Sequence, residues 1–482
     1  MVALICIRSD NYFSMTENIQ KWVGEFNLFP GKEGSPLMRG YLEYNPNDKI
    51  SLHIADKSAL YSNTRDSREY SIIHGTLEGY MLITLIACFD KNVSWNTHGF
   101  EQRLIHVNWL IKGAHLSSIN EPSFYKLDLR HPALTSWYNS GLFKSNYKAG
   151  ESKKFIYEYE QPVPYKFSIP DIGDFVLWVG GSFPAGLSNA FKAEIKEWVG
   201  IQISFHSPKS WSEVRKIYES LIHFFSMAAN IYAGKPDIRV AMSREEVRFP
   251  EILYCVKWHN EPFAVMPRYM NFLFTHIKDR CEECFTKWFN NIELFSPLFD
   301  LYGSVKFSQM GVPASFLFMI QAIEGLQRKT IGGSAIEGNI FSNDILPKLK
   351  EAIPESISDL DRELLSKKLE TLNEITLVKR IKSLCKLLPK VKGFFEDYKR
   401  DALEIKNIRN LYSHALQESK HFESEVADIQ KMSYYIEFME ILFELSVLRL
   451  IGLGEEEITK IIKHSPKYRE NYLYRKNIVG YL

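Results

Sequence analysis

Residues 408–415 read "IRNLYSHA", and three of these side chains can do acid–base or phosphate chemistry within what otherwise patterns as an amphipathic helix. Leu403, Ile408, Leu411, Tyr412 and Ala415 recur at helical spacing and predict its apolar stripe. Lys406, Asn410 and His414 follow one another at intervals of four and so share a face, with Arg409 on its edge. A cation, an amide and a titratable imidazole converge there. The set suits cleavage of RNA, which carries its own nucleophile in the 2′-hydroxyl. Such a reaction needs a base, a cation for the charge developing at phosphorus, and an acid for the leaving oxygen. An imidazole of ordinary pKa ~6.5 does the proton work near neutrality, a role that falls to His414. Arg409 keeps its proton and offers a planar fork to non-bridging phosphate oxygens, so it would stabilise the transition state. Asn410 would orient the imidazole or the phosphate. Two such helices across a two-fold axis would pool two imidazoles and two guanidiniums, so a dimer is expected. In isolation an Arg-x4-His spacing is weak, and the competing explanation is a surface cation beside a capped or core histidine.

Neighbouring segments add to the set. In "VKRIKSLCKLLPKVK", Lys379, Arg380, Lys382, Lys386, Lys390 and Lys392 occur with no intervening acid, opposite an apolar stripe of Val378, Ile381, Leu384 and Leu388. The run precedes the Arg/His helix by a short turn and is a candidate RNA-binding patch that tracks phosphates; a solvated helix face is the other explanation. Glu324 lies at helical spacing from Phe316 and Ile320, so it should face the core or a cleft and requires a partner. Arg328 one turn on is one candidate. Arg409 or Lys406 is the other, in which case Glu324 would fix the cation from behind.

The elements that must position these residues divide by texture. Up to about residue 208, short aromatic and β-branched runs such as "MRGYLEY", "ISLHIA", "KFIYEYE" and "DFVLWVGG" alternate with turn residues, which predicts an antiparallel sandwich or barrel. Residues 209–310 read as a mixed, mainly helical connection. Its first helix opens on a capping box, Ser210 with Glu213, and continues with Val214, Ile217, Leu221, Phe224, Phe225 and Ala228. A second is expected over "NFLFTHIKDRCEECFTKWFNNI". Residues 311–482 read as all-helical, with a loop at "TIGGSAIEGNIFSND". The fold class is therefore α+β multidomain, with an N-terminal antiparallel β-rich region and a C-terminal helical bundle.

Two further motifs compete for attention. "GSFPAGLS" nearly spells a phosphate-binding loop, with Gly181, Gly186 and Ser188 in place, but Leu187 stands where the lysine belongs, so a turn before a helix over "NAFKAEIKEWVG" is the better account. Cys281-x-x-Cys284 with Cys255 and His259 has the donors of a zinc site; buried structural thiols are the simpler explanation, and no metal is assigned.

Composition sets the outer bounds. A chain of 482 residues with net charge +1 is expected to be globular, and any polyanion site must be a local patch. Six scattered cysteines suit reduced thiols and a cytoplasmic location. The opening "MVALICIRSD" reads as a buried strand rather than a signal peptide, and the C-terminal apolar run is broken by Glu437, Glu440 and Glu444, so no membrane partner is expected.

The motif in its helical setting closely resembles the R-x4-6-H signature of HEPN domains. "FLFMIQAIEGLQRK" and "MEILFELSVLRLIGLGEEE" are similar to the first and closing helices of the ApeA-type branch, bacterial abortive-infection proteins in which a β-rich domain precedes the HEPN domain. The resemblance covers roughly 312–465 and, for the remainder, architecture. It implies an anti-phage effector: a metal-independent endoribonuclease without cofactor that cuts cellular RNA, tRNA foremost. It also implies a homodimer through the HEPN domain or a higher homo-oligomer, with residues 1–208 sensing a phage protein as trigger and the nuclease restrained until that protein engages them. A non-catalytic HEPN scaffold acting through protein or nucleic-acid binding is the alternative.

Overall fold

The computed structural model describes residues 19–56, 69–95, 101–139, 143–147, 155–160, 162–182, 196–234, 236–245, 249–255, 265–390, 395–414 and 425–471. They divide into two compact units. One is drawn from Met1–His131, Val163–Tyr218 and Gly234–His259, the other from Pro132–Pro162, Glu219–Ala233 and Asn260–Leu482.

The first unit holds β1 (Gln20–Asn27), β2 (Leu37–Tyr44), β3 (Ile50–Asp56), β4 (Glu69–Leu77), β5 (Met81–Trp95) and β6 (Glu101–Lys112), which mostly alternate apolar and polar residues, except that β5 opens on the run "MLITLIACF" and is buried on both faces at Ile83–Ile86. Alternation places one residue in two on a single face, and the sheet buries that face by curling on itself. The antiparallel order β6-β3-β2-β1-β4-β5 closes because β5 also pairs with β6, so the expected β-rich region is a barrel. Phe26, Leu42, Ile50, Leu52, Ile73, Ile83, Leu85, Ile105 and Leu110 fill its interior. Gly75 makes room for one of them, since a Cβ there would come within 2.9 Å of the Phe26 ring.

β7 (Phe124–Arg130) begins a second array. The hairpin of β8 (Phe143–Tyr147) and β9 (Phe155–Tyr159) stands apart from it as a two-stranded sheet, and β10 (Tyr165–Ile169), β11 (Gly173–Ser182), β12 (Lys196–Lys209), β13 (Asp237–Ala241) and β14 (Glu251–Tyr254) complete it. Their order is β10-β11-β12-β7-β13-β14, with β14 paired on the end of β6 at Trp109–Lys112. Two strands thus come from the segment read as mainly helical. The helix expected over "NAFKAEIKEWVG" is not formed in its described part, because residues 196–200 belong to β12. Cross-strand packing explains it: Trp198 lies opposite Gly180 and Trp178 opposite Gly200, and a Cβ at either glycine would meet the opposing ring at 2.4–2.5 Å. The phosphate-loop resemblance beyond Ser182 and the opening strand lie outside the described residues.

The helices are α1 (Pro132–Tyr138), α2 (Trp211–Ala229), α3 (Cys281–Asn290), α4 (Ile292–Phe307), α5 (Val312–Thr330), α6 (Gly338–Ile340), α7 (Leu346–Glu351), α8 (Asp359–Glu370), α9 (Leu377–Cys385), α10 (Tyr398–His414), α11 (Glu425–Leu450) and α12 (Glu455–His464). The capping box of α2 is formed in both directions: Ser210 N–H donates to Glu213 at 2.8 Å and Glu213 N–H donates to Ser210 Oγ at 3.4 Å. Its Trp211 and Tyr218 meet the Trp109 ring of β6 edge-on. The second expected helix begins at Cys281 rather than Asn271, after two tight turns. Asn271 spends its amide on Met227 O at 2.8 Å, and His276 Nδ1 takes the Leu273 N–H at 2.9 Å, so local side-chain bonds replace the helical ladder there.

α11 is the axis of the helical unit; Phe438, Ile441, Leu442, Phe443, Leu445 and Leu448 are all fully buried. α5 packs along it, and α9 joins α5 to α10. Trp288, Phe299, Tyr302 and Phe443 form a continuous aromatic cluster with centroid separations of 5.2–5.7 Å. The loop expected at 330–344 is half helical: Gly332 and Gly333 turn the chain with φ of 61° and 97°, and helix resumes at Gly338. Across 331–376 Phe341 is the one buried residue.

Candidate functional site

α10 is a helix because its 3.6-residue period places Asp401, Ala402, Ile405 and Ile408 on a buried side. The expected stripe is thereby corrected. Leu403 is 47 % and Leu411 56 % exposed, since Ile405 rather than either leucine continues the line of Ala402 and Ile408. Two exposed leucines therefore share the solvent side with the polar residues, Leu403 among them and Leu411 beside them. Lys406 is exposed on that face, Arg409 and Asn410 are half-buried, and His414 is the last residue of the helix, one turn beyond Asn410. Among the described residues neither Lys406 nor Arg409 is in an ion pair. Behind them Asp401 is 1 % exposed and lies 3.8 Å from Arg400. Burial, reinforced by the Asp401 charge, pushes the Cys385 thiol and the Tyr435 phenol well above their usual ranges.

α9 starts at Thr376, whose hydroxyl accepts from Lys379 N–H at 3.5 Å, and buries Leu377, Ile381, Leu384 and Cys385. Lys379, Lys386 and Lys390 are exposed and Lys382 half-buried, without ion pairs among the described residues. Lys392 lies outside the described residues. Arg380 departs from the expected RNA-binding row. It is 4 % exposed, donates to Gln327 Oε1 at 2.6 Å and to Ile375 O at 3.0 Å, and so ties α9 to α5 from inside. Its phase on the helix, between Leu377 and Ile381/Leu384, turns it inward. Glu324 on α5 is half-buried and forms no ion pair among the described residues; Arg328 pairs instead with Glu374 at 3.2 Å.

The carboxylates read as breaking the C-terminal apolar run have a different role. Glu444, fully buried on α11, accepts from Tyr302 Oη, from Lys467 Nζ at 2.6 Å and from Tyr468 Oη at 2.9 Å. Glu440 pairs with Lys306 at 2.8 Å and Lys467 at 3.4 Å. Burial alone would raise the Glu440 carboxyl, but the two lysines outweigh it and hold it below the usual carboxylate range. Glutamates four apart in an otherwise apolar helix, with lysines elsewhere to match, were the available signal for this network.

Cys281 and Cys284 are buried, and burial pushes Cys284 up to about 11. Cys255 donates to Asn45 O at 3.3 Å, burial pushes it up to about 12, and His259 lies outside the described residues. Among the described residues no three His, Cys, Asp or Glu side chains are grouped to hold a metal ion. Among them too, no helix is long and apolar enough to cross a membrane.

Two family models match the chain: ApeA N-terminal domain 1 over residues 21–288, and Apea-like HEPN over 317–457. No curated protein and no solved structure matches. The first match spans more than half of the chain and takes in the barrel with its attached sheet; the second takes in α9, α10 and all of α11, with the Arg409–His414 spacing inside it. The chain belongs to the ApeA family, an ApeA N-terminal domain 1 followed by an Apea-like HEPN domain.

Proposed function

We propose that this chain is an anti-phage effector whose HEPN domain is a metal-independent endoribonuclease. The observation that carries the proposal is the polar face of α10, where Lys406, Asn410 and His414 recur one turn apart beside Arg409 within the HEPN match. In this mechanism His414 deprotonates the 2′-hydroxyl, which attacks the adjacent phosphorus; a proton passes to the departing 5′-oxygen, and a 2′,3′-cyclic phosphate remains. Arg409 stabilises the charge on the non-bridging oxygens and Asn410 orients the reacting groups. Lys379, Lys382, Lys386 and Lys390 hold the RNA backbone, and tRNA is the favoured substrate. The exposed Leu403 and Leu411 suit a second α10 packed against this face, which would bring two sets together in a homodimer. Residues 1–208 sense the phage trigger, 209–310 connect, and 311–482 cut.

The test is total cellular RNA from phage-challenged cells carrying the wild type, His414→Ala or Arg409→Ala, with purified protein assayed in parallel with and without EDTA. Expected is a loss of cleavage of about 10²–10⁴-fold in either variant, persistence in EDTA, and cyclic-phosphate ends. Cleavage that survives His414→Ala, stops on chelation or leaves 3′-hydroxyl ends would overturn the mechanism.

A further inference from the structure

On the outer wall of the barrel four residues stand in one row across four strands. Tyr41 of β2 is in register with His53 of β3, His53 with Leu104 of β6, and Leu104 with Asn92 of β5. Their neighbours Leu42, Ile54 and Ile105 point inward and are 0–3 % exposed, so the row points out. Tyr41 and His53 stack with ring centroids 4.3 Å apart and planes within 8°. Lys21 sits over the Tyr41 ring at 5.7 Å, so the stack begins at a cation and ends at His53. There a cleft of about 330 Å³ opens, floored by Leu104 and walled by Asn92, Gln102 and Arg39.

Four features suit this cleft to a ligand rather than to packing. Burial lowers the pKa of His53, so its ring is a neutral aromatic face near pH 7. A β-bulge between Asp90 and Asn92 spends an extra residue, Lys91, and thereby sets Asn92 instead of a lysine opposite Leu104; bulges of this kind re-aim side chains at binding sites. The carboxamides of Asn92 and Gln102 have no hydrogen-bond partner among the described residues. Arg39, 87 % exposed in its side chain, meets Glu25 through one long contact of 3.4 Å, an exposed pair that holds it weakly. Beneath the floor Arg103 is committed to Asp90 at 2.9 Å and Tyr70 at 3.1 Å, which stiffens the wall and leaves Arg39 as the cleft's available cation.

A flat aromatic end, two carboxamides that each donate and accept, and one exposed guanidinium describe a planar heterocycle with a donor–acceptor edge and an anionic tail. We propose that the cleft binds a purine base carrying a phosphate, with the base stacked on His53 over Leu104, its edge read by Asn92 and Gln102, and the phosphate held by Arg39. Free mononucleotide and the terminal residue of a single strand share this chemistry. The site is independent of the nuclease proposal, because it is read by binding and by variants in the barrel wall.

The experiment titrates the full chain by calorimetry with AMP, adenosine, ribose 5-phosphate and a 5′-phosphorylated deoxyadenosine oligonucleotide, which has no 2′-hydroxyl and is not cut by the proposed chemistry. AMP or the oligonucleotide should bind, and which of them binds tells free nucleotide from strand end. Ribose 5-phosphate should not bind. His53→Ala should weaken binding about tenfold, the scale of one lost base stack. Arg39→Gln should weaken AMP and spare adenosine. The exposed Asn92→Leu and Gln102→Leu variants keep the test valid if His53→Ala unfolds. The proposal is overturned if neither probe binds at millimolar concentration, if ribose 5-phosphate binds as well as AMP, or if variants with unchanged melting temperatures bind as the wild type does.

Discussion

Arg380 and Lys386 sit on the same short basic run yet do opposite work, and the difference is phase. Arg380 shares the inner side with Leu377, Ile381 and Leu384, while Lys379, Lys382 and Lys386 fall on the outer one. A run of cations in sequence does not show which of its members turns inward; helical phase does. Replacing Arg380 with Ala should therefore cost about 1–3 kcal/mol, because the fully buried Gln327 loses its partner. Thermal or chemical melting measures this. Replacing Lys382, Lys386 and Lys390 with Gln should leave melting unchanged and flatten the slope of log affinity for single-stranded RNA against log salt by about two units. An unchanged slope would return these lysines to a solvated face. Glu444 shows the cost of an interior charge: Glu444→Ala removes one side of a buried pair with Lys467 and should destabilise by about 3–5 kcal/mol, read from denaturant midpoints.

At the scale of elements, legibility followed local signals. α2 declared itself through Ser210 and Glu213, and β2, β3 and β11 through alternation, because caps and pleats act within a few residues. Misreadings arose where distant partners decided. Residues 196–200 became strand because their tryptophan faces a glycine on β11. The polar face of α10 was legible as spacing; the leucines that share its side were not, since only packing decides that Leu403 and Leu411 stay outside. α8 carries the same lesson into a prediction. Leu360, Leu364 and Leu365 look like a core stripe, yet they are 76 %, 51 % and 39 % exposed and α8 buries no residue. Leu360→Ser with Leu364→Ser should change stability by no more than about 0.5 kcal/mol each, whereas Ile381→Ala on fully buried α9 surface should cost about 2–5 kcal/mol. Urea titration of the two variants separates the cases.

At the scale of the whole molecule, each compact unit holds a histidine that burial pushes down to about 4, His131 in the barrel unit and His276 in the helical one. An imidazole depressed in the fold stays neutral while the unfolded chain takes up a proton. Stability is therefore complete above the ordinary pKa ~6.5 and falls as pH drops towards 4; for fully buried His131 the loss is on the order of 3 kcal/mol. His276→Gln should flatten the decline in melting temperature over that window. A cut made at residue 311 to isolate the HEPN domain meets a harder limit. The HEPN match ends at 317 on its N-terminal side, but the compact unit around it reaches back to Pro132. α11 presents Phe443 to Phe299 and Tyr302, and Glu440 to Lys306, while Glu444 meets Tyr302 and, at 3.5 Å, Asn271. A 311–482 fragment would lose every one of those partners, leaving an aromatic face open to water and two interior carboxylates dependent on Lys467 and Tyr468. The fragment should keep helical far-UV dichroism, lose near-UV signal, bind hydrophobic dye and be inactive whether or not the N-terminal region restrains the enzyme. A fragment that instead melts cooperatively and cuts RNA without a trigger would show that α10 and α11 need no support from α4, and that residues 1–310 act as a restraint.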